Sequence, residues 1–504
     1  MNNSGKPPAG KKAAPGRPGM NRQKPYGRPA ADRQRTGRPP QNGQRTGRPQ
    51  EKKAPAIPEG MESRRAALRV LREVTEEGKY ASLSLDANLR KSGLSEQDRR
   101  LVTRLAYDTL DRMIYLDYIL DQVMARKDTD IRLKNILRLG ACQILLEDRI
   151  PESAATNTSV QLCTELGMEG LKGVCNGILR NLIRRKDELV IAEDPGDEQE
   201  ELQAVYYSLP LWLWRRLKAD YGEDAPKAAT CREEDTRITV RPNLNRLDGE
   251  AFEALLAKKV WKSRRGSLPY SWQIQGAMDI AEDSDFRKGM FSIQTEGSMM
   301  ICMALEPRRG DKILDCCAAP GGKSCFLAEM MDGTGRIQAW DVHEHRVDLI
   351  AAQARRLSLD NIRPMVRDAT KRREDLDGTM DAVLLDAPCS GIGVVAGKPD
   401  IKLRMTAKKV EEITELQTKL LDTVCAYVRP GGTLLYSTCS VLKEENERQV
   451  TSFLEKHPDF ECVPLPECIP ERFRRYEGTG LQLLPWRDGT EGFYFCRMKR
   501  KAGV

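Results

Sequence analysis

The chain has 504 residues, 40% of them hydrophobic, with only fourteen cysteines; it is too long for a single ordinary core and too cysteine-sparse for a disulfide scaffold. Its formal charge of +8 is uneven, because residues 1–60 hold 14 Lys and Arg against 3 Asp and Glu, leaving 68 basic and 71 acidic residues elsewhere. The first sixty residues have no apolar core and no run of eighteen apolar residues exists, so neither a signal peptide nor a membrane span is expected, and a cytoplasmic protein with reduced thiols is.

Residues 1–60 read as a disordered basic tail, rich in Pro, Gly, Arg and Gln, with Gly-Arg-Pro repeated at Gly16, Gly27, Gly37 and Gly47. Such a segment cannot bury enough surface to offset its ordering entropy, and its cations suit a sequence-independent RNA tether. Residues 61–190 follow a helical period, as in Ala67, Val70, Leu71 and Val74, with Ser95 placed as an N-cap before Leu101. No strand pattern interrupts them, so an all-α domain is expected. An acidic linker at Pro195–Glu198 precedes a helical stretch at Ser208–Trp214 and an alternating strand over Arg237–Asn243. Residues 204–290 are therefore expected to form a small α+β module that binds RNA.

From residue 291 to 504, short apolar runs alternate with helical segments, which predicts a doubly wound, Rossmann-like α/β domain with a parallel sheet. In such sheets the site forms at the strand carboxyl ends, and five positions fall there: the loop Asp315–Lys323, Asp341, Asp368, Asp386 and Cys439. The loop residues Cys317, Ala318, Ala319, Pro320, Gly321, Gly322 and Lys323 are small or flexible enough for close backbone approach to a cofactor. They match neither a Walker loop nor Gly-x-Gly-x-x-Gly, so a nucleotide-phosphate site is disfavoured. Asp341 is placed for ribose hydroxyls and Asp368 for an adenine amino group, although a lone Asp at either position is more often a turn residue. With three histidines (His343, His345, His457) and no Cys-x-x-Cys pair, no metal site is expected, and the chemistry falls to cysteine and carboxylate. Cys389 in Asp386-Ala387-Pro388-Cys389-Ser390-Gly391 and Cys439 in Ser437-Thr438-Cys439-Ser440 stand in matching settings after apolar strands. Lys323 is the candidate for local positive charge beside a thiolate.

Asp315–Lys323 resembles the S-adenosylmethionine loop of the RsmB/NOP family of RNA cytosine-C5 methyltransferases, and the two cysteine segments resemble that family's paired motifs. The resemblance spans about residues 290–500 and implies a class I methyltransferase domain with S-adenosylmethionine as cofactor. It further implies that Cys439 is the nucleophile, that Cys389 serves the release step, and that Asp386 bonds the base at N3 or its exocyclic amine and lies near the cofactor. Leu171–Leu182 resembles the last helix of NusB-like RNA-binding domains, which within the family points to 16S ribosomal RNA, free or in a partly assembled small subunit. A monomer is expected. The rival substrates are transfer RNA and large-subunit RNA, and the rival class is a catalytically silent assembly factor, against which the intact cysteine pair argues.

Overall fold

In the computed structural model, residues 60–230, 238–277, 280–475 and 479–503 are described; the basic tail expected over 1–60 and Arg237 of the expected strand lie outside them, apart from Gly60. Residues 60–190 are helical throughout: Met61–Thr75, Ala81–Lys91, Glu96–Asp111, Met113–Val123, Ile131–Leu145, Glu152–Glu165 and Lys172–Leu189. Ala67, Val70, Leu71 and Val74 share one face of the first helix and are buried, as their spacing requires. Ser95 caps the third helix, its hydroxyl accepting from the Asp98 amide at 3.2 Å. Ile131–Leu145 is buried nearly all round, with Leu133, Ile136, Leu137, Leu139 and Cys142 in the bundle core.

The segment expected as one module over 204–290 divides. Helices Glu200–Tyr206, Leu211–Tyr221 and Ala225–Thr230 place Leu213, Trp214, Leu217 and Ala225 in one core with Ile392, Val410, Val441, Leu442 and Leu484, far along the chain. Local periodicity shows that this helical face is apolar and not what covers it. The strands β1 (Ile238–Pro242), β2 (Lys262–Arg265), β3 (Trp272–Gln275) and β4 (Phe291–Ile293) form a separate antiparallel sheet in the order β2-β3-β1-β4. Phe252 and Leu256 of helix Gly249–Ala257 pack on its Val240, Trp272, Ile274 and Phe291. Because β4 pairs with β1, this sheet continues past the expected boundary at 290.

The second sheet holds β5 (Lys312–Asp315), β6 (Arg336–Asp341), β7 (Ile362–Val366), β8 (Met380–Asp386), β9 (Val428–Thr438), β10 (Phe460–Cys462), β11 (Leu481–Gln482) and β12 (Tyr494–Arg500). Its order is β10-β12-β9-β8-β5-β6-β7, with β11 alongside β12. Strands β5 to β9 pair in parallel, whereas β10, β11 and β12 are antiparallel additions, so the expected wholly parallel sheet is a mixed one. Residues Tyr494, Phe495, Cys496 and Met498 are all buried, which suits β12 to the inner position between β9 and β10. The chain runs outward from β5 to β6 and β7, then returns to place β8 on the other side of β5. That reversal opens a crevice at the carboxyl ends of β5 and β8. No helix among the described residues is long and apolar enough to cross a membrane.

Candidate active site

The loop leaving β5 is held by backbone on both flanks, Cys316 N–H donating to the Leu384 carbonyl at 2.9 Å and Ala318 N–H to that of Trp340 at 2.7 Å. It carries a cis Ala319-Pro320 bond and then Gly321 at φ 106°, a conformation open to glycine; a Cβ there would also stand 3.0 Å from Ile350 Cα. Helix Gly322–Met330 starts immediately after, and a Cβ on Gly322 would meet open space. At the base of the loop Asp315 is fully buried, its Oδ2 accepting from Ser324 Oγ at 2.6 Å while Oδ1 has no partner. Burial pushes this carboxyl up to about 7, against the Ser324 hydrogen bond and with the charge of Asp386 adding to the rise.

Asp341 ends β6 and Asp368 follows β7, so both stand on the same rim. Asp341 accepts from the His343 amide at 3.1 Å and faces Arg346 at 3.2 Å. One oxygen of Asp368 accepts from the Thr370 amide at 3.0 Å and from its hydroxyl at 2.6 Å. Each aspartate thus fills the turn role expected of a lone Asp and keeps further acceptor capacity.

Register explains how the cysteines meet. Asp386 at the end of β8 lies beside Ser437 near the end of β9, so the two outgoing loops start level. Cys389 and Cys439 then bring their sulfurs to 3.1 Å, and the Cys439 amide donates to Cys389 Sγ at 3.3 Å. Between the thiols and the cofactor loop, Asp386 accepts from Ser437 Oγ and from Lys323 Nζ, both at 2.8 Å. Burial alone would lower Lys323; its pairing with Asp386 overrides that and keeps the ammonium protonated.

The thiols share protons unequally. The hydrogen bond with Cys389 holds Cys439 below the ordinary thiol value; burial and Asp386 oppose this, while Lys323 and Lys398 assist it. That same bond, then burial and the nearby Cys439 charge, pushes Cys389 well up. Lys323 therefore sits where the sequence placed a cation, and exposed Lys398 is a second one that sequence reading missed. Also missed is Glu445, fully buried behind both cysteine loops. Its carboxylate accepts from the Ser390 amide at 2.7 Å and from the hydroxyls of Ser390 and Ser440 at 2.5 Å each. The sequence signal was the serine after each cysteine, two donors in matching places that call for a common acceptor.

Comparison with known proteins agrees with this architecture. The family model "16S rRNA methyltransferase RsmB/F" matches residues 302–499, and the NusB family model matches residues 61–184. The chain is 34% identical over 441 residues to the probable ribosomal RNA small subunit methyltransferase B of Bacillus subtilis, covering 86% of this chain and 98% of that protein. A crystal structure of the protein PH0851 superposes with a TM-score of 0.76 at 27% identity, covering 87% of this chain and 99% of that one. NSun6 from Pyrococcus horikoshii, solved with SFG, an analogue of S-adenosylmethionine, shares the fold at a TM-score of 0.52 and 22% identity over 58% of this chain and 99% of that one. The cofactor is S-adenosylmethionine. The residues present fit it: open space in front of Gly322 leaves room beside the loop, and the unpartnered Asp315 Oδ1 is an acceptor suited to a cationic group. Loop, fold, helical bundle and relatives agree, and the chain belongs to the RsmB/F family of S-adenosylmethionine-dependent ribosomal RNA methyltransferases.

Proposed function

We propose that the protein methylates carbon 5 of a cytosine in 16S ribosomal RNA through a transient covalent bond to Cys439. Carbon 5 of cytosine is a poor nucleophile. Addition of the Cys439 thiolate to carbon 6 moves electron density onto carbon 5 and makes it enamine-like. Asp386 bonds the base at N3 or its amino group, and Lys323 holds that carboxylate in place. Residues Cys317–Lys323, Asp341 and Asp368, with Asp386, would hold the cofactor, which when bound supplies an electrophilic methyl group. After transfer, Cys389 takes the carbon-5 proton, the Cys439–carbon-6 bond breaks, and its electron pair returns to the thiolate as the ring double bond re-forms.

The observation that carries this reading is the unequal thiol pair. The sulfurs stand 3.1 Å apart, and the hydrogen bond between them lowers Cys439 and raises Cys389. Once Cys439 is bonded to carbon, the charge that raised Cys389 is gone; Cys389 then gives its proton to solvent water and, as the thiolate, is the base for the carbon-5 proton. The NusB-like bundle and the relatives named for the small ribosomal subunit support 16S RNA as substrate. The target base must leave its stack to reach the crevice, which favours a single-stranded or loop segment.

Cys439→Ala is expected to abolish methyl transfer to small-subunit RNA while S-adenosylmethionine binding, measured by calorimetry, persists. Cys389→Ala is expected to accumulate an enzyme–RNA adduct that survives a denaturing gel. Turnover by Cys439→Ala would refute the nucleophile assignment. Bisulfite mapping of 16S RNA from a strain lacking the gene locates the base.

A further inference from the structure

We infer that Glu445 is a positioning residue that sets the separation of the two catalytic thiols by clamping their loops to one carboxylate; the inference rests on the proposed roles of Cys389 and Cys439. Cys389 and Cys439 leave different strands, and nothing covalent fixes one against the other. Each is followed by a serine, and Ser390 and Ser440 are both buried. Glu445 Oε2 accepts from both hydroxyls at 2.5 Å, and the two serine oxygens stand 3.2 Å apart. Oε1 accepts from the Ser390 amide at 2.7 Å and from Gln417 Nε2 at 3.2 Å. Gln417 Nε2 lies 2.9 Å from the Pro388 carbonyl, so the residue before Cys389 is tied into the same cluster.

The clamp is itself anchored. Tyr436 of β9 donates its hydroxyl to the Glu445 carbonyl at 2.6 Å, and Asn446 donates to the Ser440 carbonyl at 2.9 Å while accepting from Thr438 Oγ1 at 2.6 Å. A buried carboxylate meeting this many donors is a set of charge-assisted bonds, the strong and directional kind. A core that needed only filling would hold an apolar residue here, since a buried charge without exact partners is costly. Glu445 bonds neither sulfur; its charge helps to raise Cys389, and its hold on the geometry passes through the serines.

Glu445→Gln keeps the volume but removes the charge and replaces one acceptor by a donor, so that the two serine hydroxyls lose the single carboxylate oxygen to which both donate. The test uses the full-length enzyme and the azo oxidant diamide, which takes up two protons and two electrons as a disulfide forms. Mass spectrometry follows the Cys389–Cys439 disulfide against the Cys462–Cys496 pair, whose sulfurs stand 3.3 Å apart and whose bonds go to Thr479 rather than to Glu445 or its serines. Glu445→Gln is expected to lower the ratio of the two rates, and kcat for methyl transfer with it, by about tenfold or more, leaving KM for RNA unchanged. Should this variant not fold, Ser390→Ala and Ser440→Ala carry the same comparison, each removing one hydroxyl. An unchanged ratio overturns the clamp, and a lowered ratio with unchanged kcat overturns its role in the reaction. Activity in Cys439→Ala would instead overturn the proposed chemistry, while the disulfide ratio still decides the clamp.

Discussion

At the scale of single residues, the proposed chemistry rests on which of two touching sulfurs is charged. A lowered thiol stays ionised as pH falls, until the pH drops through its folded value; a raised thiol stays protonated into alkaline solution. Iodoacetamide labelling against pH should therefore give Cys439 a midpoint below the ordinary thiol value of 9.0 and leave Cys389 unlabelled at that point. Lys323→Gln removes a charge that favours the thiolate and should move the Cys439 midpoint up. Asp386→Asn removes a charge that opposes it and should move the midpoint down. Shifts in the same direction in both variants would contradict the electrostatic account.

At the scale of elements, the four-stranded sheet is bolted to the methyltransferase sheet through a buried ion pair. Arg241 of β1 and Glu329 of helix Gly322–Met330 are both fully buried with nitrogen and oxygen 2.5 Å apart. Arg241 also donates to Gln294 at 2.7 Å and stacks on Phe326, and Glu329 accepts from the Leu244 amide at 3.0 Å. Glu329→Gln leaves the guanidinium poorly paired in a dry setting and should cost about 3–5 kcal/mol in unfolding free energy. The double variant Arg241→Met, Glu329→Leu should recover most of that loss. Thermal denaturation of the three proteins checks both statements. Neither partner was legible in the sequence, where each reads as one more charged residue. The strand ends were legible, because Ile313–Leu314, Ile337–Trp340 and Ala382–Leu385 are apolar runs that each stop at an aspartate. Glu445 was hidden for the opposite reason: Lys443-Glu444-Glu445-Asn446-Glu447 has the look of a solvated charge run. Only the fold turns one of those glutamates inward. The antiparallel strands escaped notice because β10 and β11 are short and only a one-turn helix, Pro485–Asp488, stands between β11 and β12.

At the scale of the molecule, the helical bundle touches the same segment that leaves Cys389. Lys402 Nζ stands 2.7 Å from Asp111, the Ala81 amide donates to Asp400 at 3.3 Å, and Arg404 donates to the Gly78 carbonyl at 2.7 Å. The segment that follows Cys389 is thus tied to the bundle at three points. The basic residues 1–60 should add affinity without touching the chemistry. Their deletion is expected to weaken RNA binding and flatten its dependence on salt by about 0.7 in logarithmic slope per lost contact to single-stranded phosphate, with kcat unchanged. A salt slope equal to that of the full chain would reduce the tail to a solvated extension.

The inner position of β12 has a consequence for the order of synthesis. Cys439 sits at the end of β9, and β9 is flanked on one side by β8 and on the other by residues 494–500. A nascent chain that has already exposed both cysteines to solvent still lacks the strand that pairs with β9 on the far side from β8. The bundle has a core of its own and can close early, whereas the sheet around Cys439 closes only when residues 494–500 are in place.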